Sequence, residues 1–223
     1  MIPYGKQDIS SKDIEAVIEV LKSDFITQGP IIPSFEKSLA DVVGAKFGVV
    51  VNSATSALHL ACLSVGLKEG DFLWTSPISF VASANCGLYC GASIDFVDID
   101  RNTYTLCPDA LRTKLEKAEI ENKLPKVVIP VHFAGMPCKM REIHALSKQY
   151  GFKVIEDASH AIGASIENEL IGSCEYSDIT VFSFHPVKII TTGEGGGITT
   201  NDNKLYEKLI LLRSHGETRD ADK

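Results

Sequence analysis

Several familiar signals are missing from this sequence, and each absence narrows what the chain can be. The six cysteines, at 62, 86, 90, 107, 138 and 174, form no Cys-x-x-Cys pair. Cys86 and Cys90, four apart on a helical stretch, make only a weak metal signal, so free buried thiols are expected. Twenty-two basic residues stand against 29 acidic ones, a net charge of −7, and the basic ones are not clustered. That removes the electrostatic basis for binding nucleic acid. Two uncharged stretches, 47–67 and 72–94, are interrupted by Asn52, Ser53, Thr55, Ser56 and His59, and by Pro77, Asn85, serines and two glycines. Neither approaches the ~20 mostly apolar residues of a membrane span. The opening Met1–Asp13 lacks the basic start and apolar core of a signal peptide, so a cytoplasmic protein is expected. Neither G-x-x-x-x-G-K-[ST] nor G-x-G-x-x-G occurs, which disfavours a nucleoside triphosphate or a dinucleotide.

What is present is an ordinary globular composition. With 223 residues, 44% hydrophobic and 23% charged, the chain can bury a core without staples and is too apolar to be disordered. Helical and strand periods alternate along it. Ile14, Val17, Ile18 and Leu21 recur at helical spacing after Ser10, whose acid three residues on resembles a capping box. Gln28-Gly29-Pro30 breaks the chain, and Pro33 opens a second helical stretch that stops at Gly44. Strands are expected at 47–51, 72–76, 94–97, 127–131, 153–156, 179–183 and 198–200. Helices are expected after Ser53, from about Ser79 to Gly91, over 108–117, through Ile143, Leu146 and Tyr150, and through Leu205, Leu209 and Leu212. This alternation implies one large α/β domain: a mainly parallel sheet with helices on both faces, in three layers.

In such sheets ligands sit beyond the carboxyl ends of the strands, and three strand ends carry candidate chemistry. After 47–51 comes Asn52-Ser53-Ala54-Thr55-Ser56, either an ordinary helix cap or an anion site made by free amides at a helix start. After 153–156 comes Asp157-Ala158-Ser159-His160, where the carboxylate could cap a helix, hold a cationic nitrogen, orient the imidazole or bind metal. Further metal ligands at readable spacing are lacking. After 179–183 comes Phe184-His185-Pro186-Val187-Lys188. Lysines are usually solvated, but this one stands among Pro186, Val187, Ile189 and Ile190, where desolvation would favour a neutral, nucleophilic amine. The following Gly195-Gly196-Gly197 is a flexible turn or a close approach of backbone to a ligand. A phosphate-type helix start, a carboxylate and a lysine in that order match what pyridoxal phosphate needs: a phosphate cradle, an acid at its ring nitrogen and an amine for a Schiff base.

The motifs around these residues carry a resemblance. Thr27-Gln28-Gly29, Asn-Ser-Ala-Thr-Ser-Ala at 52–57, Pro77-Ile78-Ser79-Phe80-Val81-Ala82, Pro130-Val131-His132-Phe133-Ala134-Gly135, Glu156-Asp157-Ala158-Ser159-His160-Ala161, and Phe182-Ser183-Phe184-His185 through Glu194-Gly195-Gly196 run in family order along nearly the whole chain. In them the sequence resembles the DegT/StrS-type sugar aminotransferases, fold-type I enzymes dependent on pyridoxal 5'-phosphate. It is most similar to the branch that serves pseudaminic acid biosynthesis. That branch aminates C4 of a UDP-linked 4-keto-6-deoxy-N-acetylhexosamine with L-glutamate as donor.

The resemblance implies roles residue by residue. Lys188 matches the Schiff-base lysine and proton shuttle, and Asp157 the carboxylate at the pyridine nitrogen. Ala54, Thr55 and Ser183 match phosphate or substrate contacts. Phe80 matches an aromatic ring stacked on the cofactor, and His160 a group at the ring's hydroxyl face. Tyr4, Asp24, Phe25, Ile26 and Thr27 lie where relatives contact the sugar nucleotide. The resemblance further implies a homodimer, and a division into an N-terminal segment (1–30) and a cofactor-binding large domain (31–223). The smaller C-terminal domain of relatives is not expected in this chain, and neither membrane nor nucleic acid is an expected partner. Related readings are a sister aminotransferase for a dTDP- or GDP-linked keto sugar, or a cofactor-binding remnant without turnover.

Overall fold

The computed structural model describes residues 5–217. Two helices lead in, α1 (Ser11–Lys22) and α2 (Ile31–Val43). There follow β1 (Phe47–Val51), α3 (Ala54–Ser64), β2 (Phe72–Thr75), α4 (Ala82–Tyr89), β3 (Ser93–Phe96), α5 (Pro108–Ile120), β4 (Val127–Ile129), α6 (Met140–Tyr150) and β5 (Lys153–Asp157). After a small hairpin, β6 (Ser165–Ile166) and β7 (Glu169–Leu170), come β8 (Ile179–Ser183), β9 (Gly196–Thr200) and α7 (Asn203–Arg213).

Seven strands form one sheet in the order β1-β9-β8-β5-β4-β2-β3. The pairs β8–β5, β5–β4, β4–β2 and β2–β3 are parallel, while β9 runs antiparallel to both β8 and β1. All strands but β9 therefore point the same way, and the expected mainly parallel α/β sheet is the fold observed.

Alternate residues of each strand feed opposite faces, as the period of two requires. Leu73, Val127, Ile129, Ile155, Ile179 and Ile198 pack against α3, α4 and α7 on one side. Trp74, Val128 and Val154 meet α5 and α6 on the other, where Phe182 joins Leu39 and Val43 of α2.

Both edges of the sheet are closed by side chains. On β1, Glu36 accepts the Val50 amide at 3.0 Å and pairs with Arg213, whose guanidinium also reaches the Val50 carbonyl. On β3, Lys114 donates to the Phe96 carbonyl at 2.6 Å. Occupied edge groups of this kind make an edge less available to foreign strands. No helix among the described residues is long and apolar enough to cross a membrane.

The differences from the sequence reading are local. The capping box is present: Ser10 Oγ accepts the Asp13 amide while Asp13 accepts the Ser10 amide. The helix expected from Ser79 begins at Ala82, because residues 77–81 form the turn that brings Ser79 against Ser83. Strand β4 stops at Ile129, and Val131 rejoins the sheet through a single bridge to Asp157. The hairpin β6–β7 turns through Glu167 and Asn168 at φ 49° and 72°, without the glycine that signals such turns.

Gly196 is where the glycine run is needed. A Cβ there would drive into the Ser53 carbonyl group and lie 2.7 Å from the Ala54 nitrogen, so β9 passes directly against the β1–α3 junction. A Cβ on Gly197 would lie 2.7 Å from Leu39. Thus two of the three glycines admit the chain's own core rather than a ligand. Gly196→Ala is expected to lower stability by about 1–3 kcal/mol, the usual cost of overpacking. Denaturant unfolding checks this, and an unchanged midpoint would mean the junction yields freely.

Candidate active site

The common strand direction places the carboxyl ends of β1, β2, β4, β5 and β8 along one rim of the sheet, with the start of β9 among them. A cavity of about 400 Å³ opens there. Its walls come from all these ends: Ser53, Ala54 and Thr55 after β1, Ser79 and Phe80 after β2, Val131 and His132 after β4, Asp157 and His160 at β5, Ser183 and Lys188 after β8, and Gly195 before β9. The three strand ends singled out in the sequence therefore meet in one place.

At one wall α3 begins. Ser53 caps it, accepting the Ser56 amide at 3.1 Å, and the first backbone bond of the helix runs from Ala57 to the Ser53 carbonyl. The amides of Ala54 and Thr55 precede that bond and border the cavity, where the helix dipole adds partial positive charge. Ser183, nearly buried, is also on the cavity wall.

Asp157, also on the cavity wall, is 4% exposed. Its Oδ2 accepts Ser83 Oγ at 2.6 Å and its Oδ1 accepts the Ser159 amide at 3.1 Å. Lys188 is half-buried, and its Nζ lies 2.6 Å from His160 Nε2. Burial pushes the Lys188 ammonium below the usual lysine range, opposed by the charge of Asp157. Burial lowers His160 too, and the neighbouring lysine lowers it further. An amine and an imidazole nitrogen this close share a single proton between them. The desolvation does not come from Ile189 and Ile190, which are exposed and stand off the cavity wall, but from the wall itself.

Phe80 lines the mouth and is 72% exposed, so its ring is free to cover a planar ligand. The remaining predicted contacts are not brought here. Asp24, Phe25, Ile26 and Thr27 do not line the cavity: they follow α1, which buries none of its residues, in a turn that Ser23 holds through both Phe25 backbone groups. Tyr4 lies outside the described residues.

Behind the cavity lies a buried polar network that sequence reasoning missed. His132 Nε2 contacts Glu156 Oε2 at 2.7 Å, and the Cys138 amide donates to His132 Nδ1 at 3.0 Å. An accepting Nδ1 places the ring proton on Nε2, aimed at the carboxylate. Glu156 Oε1 accepts Ser177 and Thr180 hydroxyls at 2.5 and 2.8 Å. Burial alone would raise the Glu156 pKa, but the His132 ring and the two hydroxyls hold it below the usual range. No spacing signal could have revealed this set, since Glu156 lies 24 residues from both His132 and Thr180.

Comparison with known proteins places these features in context. The profile of the DegT/DnrJ/EryC1/StrS aminotransferase family matches residues 7–223. The UDP-4-amino-4,6-dideoxy-N-acetyl-beta-L-altrosamine transaminase of Campylobacter jejuni is 42% identical over 216 residues, which is 97% of this chain and 56% of that protein. The structure of Helicobacter pylori PseC, an aminotransferase involved in the biosynthesis of pseudoaminic acid, superposes with a TM-score of 0.90 at 35% identity, over 99% of this chain and 58% of that one. Spr1654 of Streptococcus pneumoniae, described as a sugar aminotransferase, superposes in its PLP-form with a TM-score of 0.86 at 29% identity, over 99% of this chain and 59% of that one. It has also been solved in a PMP-form. The chain spans about half the length of the curated relatives it matches.

The Glu156 network yields a pH prediction. A carboxylate whose folded pKa is depressed contributes stability that is fully present above its unfolded pKa, near 4.5, and is lost as pH falls through the lower folded value. Stability should therefore drop steeply below about pH 4.5. Glu156→Ala, which strands His132, Ser177 and Thr180, should cost about 3–5 kcal/mol at neutral pH and flatten the acid limb. Urea unfolding across pH measures both, and an acid limb of parental steepness in the variant would refute the assignment.

Proposed function

The chain belongs to the DegT/DnrJ/EryC1/StrS aminotransferase family, whose members depend on pyridoxal phosphate, and from that premise we propose that its protein transfers an amino group from L-glutamate to a nucleotide-linked keto sugar. The favoured acceptor is a UDP-linked 4-keto-6-deoxy-N-acetylhexosamine, because the Campylobacter transaminase at 42% identity is named for a UDP-amino sugar of that kind. The one observation that carries the reading is the convergence of the α3 amides, Asp157 and Lys188 on a single cavity.

The residues present fit pyridoxal phosphate in charge and in kind. Amides at a helix start favour a phosphate dianion, a buried carboxylate favours a protonated ring nitrogen, and a desolvated amine favours covalent attachment to an aldehyde. Bound there, the cofactor would supply an electron sink for the carbon that loses its proton.

The chain's own groups would divide the remaining work. The Ala54 and Thr55 amides with Ser183 hold the phosphate. Asp157 fixes the ring nitrogen and its proton, and Phe80 covers the ring face and excludes water. Lys188, its pKa lowered by burial, would attach the cofactor and, once released, accept and return a proton at Nζ. His160, in contact with Lys188, would serve the ring's hydroxyl side.

In this reading residues 31–223 are the cofactor-binding domain and 1–30 a separate N-terminal segment that serves, with a second subunit, the sugar-nucleotide side. That α1 exposes Ile14, Val17, Ile18 and Leu21 supports the separation.

The test is spectroscopic and chemical. Pyridoxal phosphate added to the protein should give a visible band, and borohydride should fix the cofactor on the peptide containing Lys188. Lys188→Ala should lose both, and trapping on another lysine would overturn the assignment. Glutamate should bleach the band with release of 2-oxoglutarate, and Asp157→Ala should slow that step by at least about a hundredfold. A panel of UDP-, dTDP- and GDP-linked keto sugars then identifies the acceptor.

A further inference from the structure

Asp157 does not meet the cavity alone. Ser83, the second residue of α4, is fully buried and reaches Asp157 Oδ2 at 2.6 Å across 74 residues of sequence. The same hydroxyl lies 2.6 Å from Ser79 Oγ, which stands on the cavity wall. The direction of this chain is fixed by proton counting. An ionised carboxylate only accepts, so the single Ser83 proton points at Asp157, and Ser83 must accept from Ser79. The result is a one-way relay, Ser79 to Ser83 to Asp157.

A serine so near the start of a helix ordinarily bonds its own backbone. This helix has no side-chain cap: Val81 occupies the cap position, and the Ser83 amide bonds the Phe80 carbonyl instead. The hydroxyl is thereby left free for β5. With Oδ2 held by Ser83 and Oδ1 by the Ser159 amide, the carboxylate is clamped from two sides, on a cavity that Lys188 and His160 also line.

We propose that Ser83 is a positioning residue that acts through Asp157, holding the carboxylate in the one orientation that meets the protonated ring nitrogen of a bound heteroaromatic cofactor. The inference rests on the cofactor reading above. The ring nitrogen itself supplies the discriminating test. Ser83 should matter only for a ligand that has that nitrogen, and only while residue 157 is a carboxylate.

The experiment compares the parent protein with Ser83→Ala, Ser83→Thr, Asp157→Asn and the double variant Ser83→Ala/Asp157→Asn. Each is titrated with pyridoxal phosphate and with the phosphorylated benzaldehyde in which C–H replaces the ring nitrogen. Ser83→Ala should weaken pyridoxal phosphate binding roughly tenfold, the scale of a hydrogen bond to a charged group. It should leave the benzaldehyde unaffected. Ser83→Thr, which keeps the hydroxyl, should bind both as the parent does, and in the Asp157→Asn background Ser83→Ala should add nothing.

Equal losses for both ligands, or a Ser83→Ala effect that survives in the Asp157→Asn background, would show that Ser83 merely supports the fold and would overturn the proposal. Thermal unfolding of each variant identifies a global defect, and in that event Ser83→Thr against the parent, with both ligands, decides. Failure of the parent protein to form any adduct overturns the cofactor reading, and this inference with it, whereas a parental adduct with indifferent Ser83 variants overturns this inference alone.

Discussion

A shared strand direction governs everything else in this molecule. Because β1, β2, β4, β5 and β8 all run the same way, their polar exits accumulate on one rim, and residues as distant as Ser53 and Lys188 become neighbours. The reversed strand β9 respects the same rule from the other side, entering the sheet at that rim through Gly195 and Gly196. Were β9 to carry side chains there, the β1–α3 junction could not sit where its amides border the cavity. The packing of backbone on backbone at Gly196 thus fixes where the start of α3 lies.

The electrostatics then follow from burial. A carboxylate at 4% exposure is costly unless its oxygens are bonded, and Ser83 and the Ser159 amide meet that need. A lysine at the same cavity feels two opposing effects: desolvation lowers its pKa and Asp157 raises it, and desolvation wins. The balance leaves an amine that is easier to deprotonate than a surface lysine, although the charge of Asp157 works against this. Glu156, one residue earlier, faces the opposite side of the strand and meets its own set of donors. Successive carboxylates on one strand thereby take different tasks, Glu156 fastening β4, β5 and β8 together and Asp157 facing the cavity.

This division explains what could be read from the sequence and what could not. Asp157, Lys188 and the Ala54–Thr55 turn are legible because each lies just beyond an apolar strand run, and strand ends in a parallel sheet are where ligands bind, whereas Ser183, the last residue of β8, is named only by resemblance. The sheet itself was legible in the alternation of periods, down to the identical limits of β1 and β8. Ser83 and the His132–Glu156 pair were not, because their partners are set by which strands lie side by side rather than by spacing along the chain. The segment Asp24–Thr27 was named only by resemblance, and nothing in the local sequence carries it to the cavity. The glycine run was half understood: its freedom is spent mainly on the approach of β9 to Ser53 and Leu39.

The proximity of Lys188 to His160 bears on how the cavity accepts an anion. Burial depresses both the amine and the imidazole, and for His160 the charge of Lys188, 2.6 Å away, adds to the effect. A phosphate dianion held at the α3 amides, as proposed, would add negative charge to the cavity and favour protonation of whichever basic group remains free. In the proposed reading, attachment of Lys188 to an aldehyde would remove that amine from the contest and leave His160 to take up the proton. Burial, which suppresses charge in the free cavity, would thus leave it able to become positive when a phosphorylated aldehyde binds, with Asp157 already held by Ser83 and the Ser159 amide.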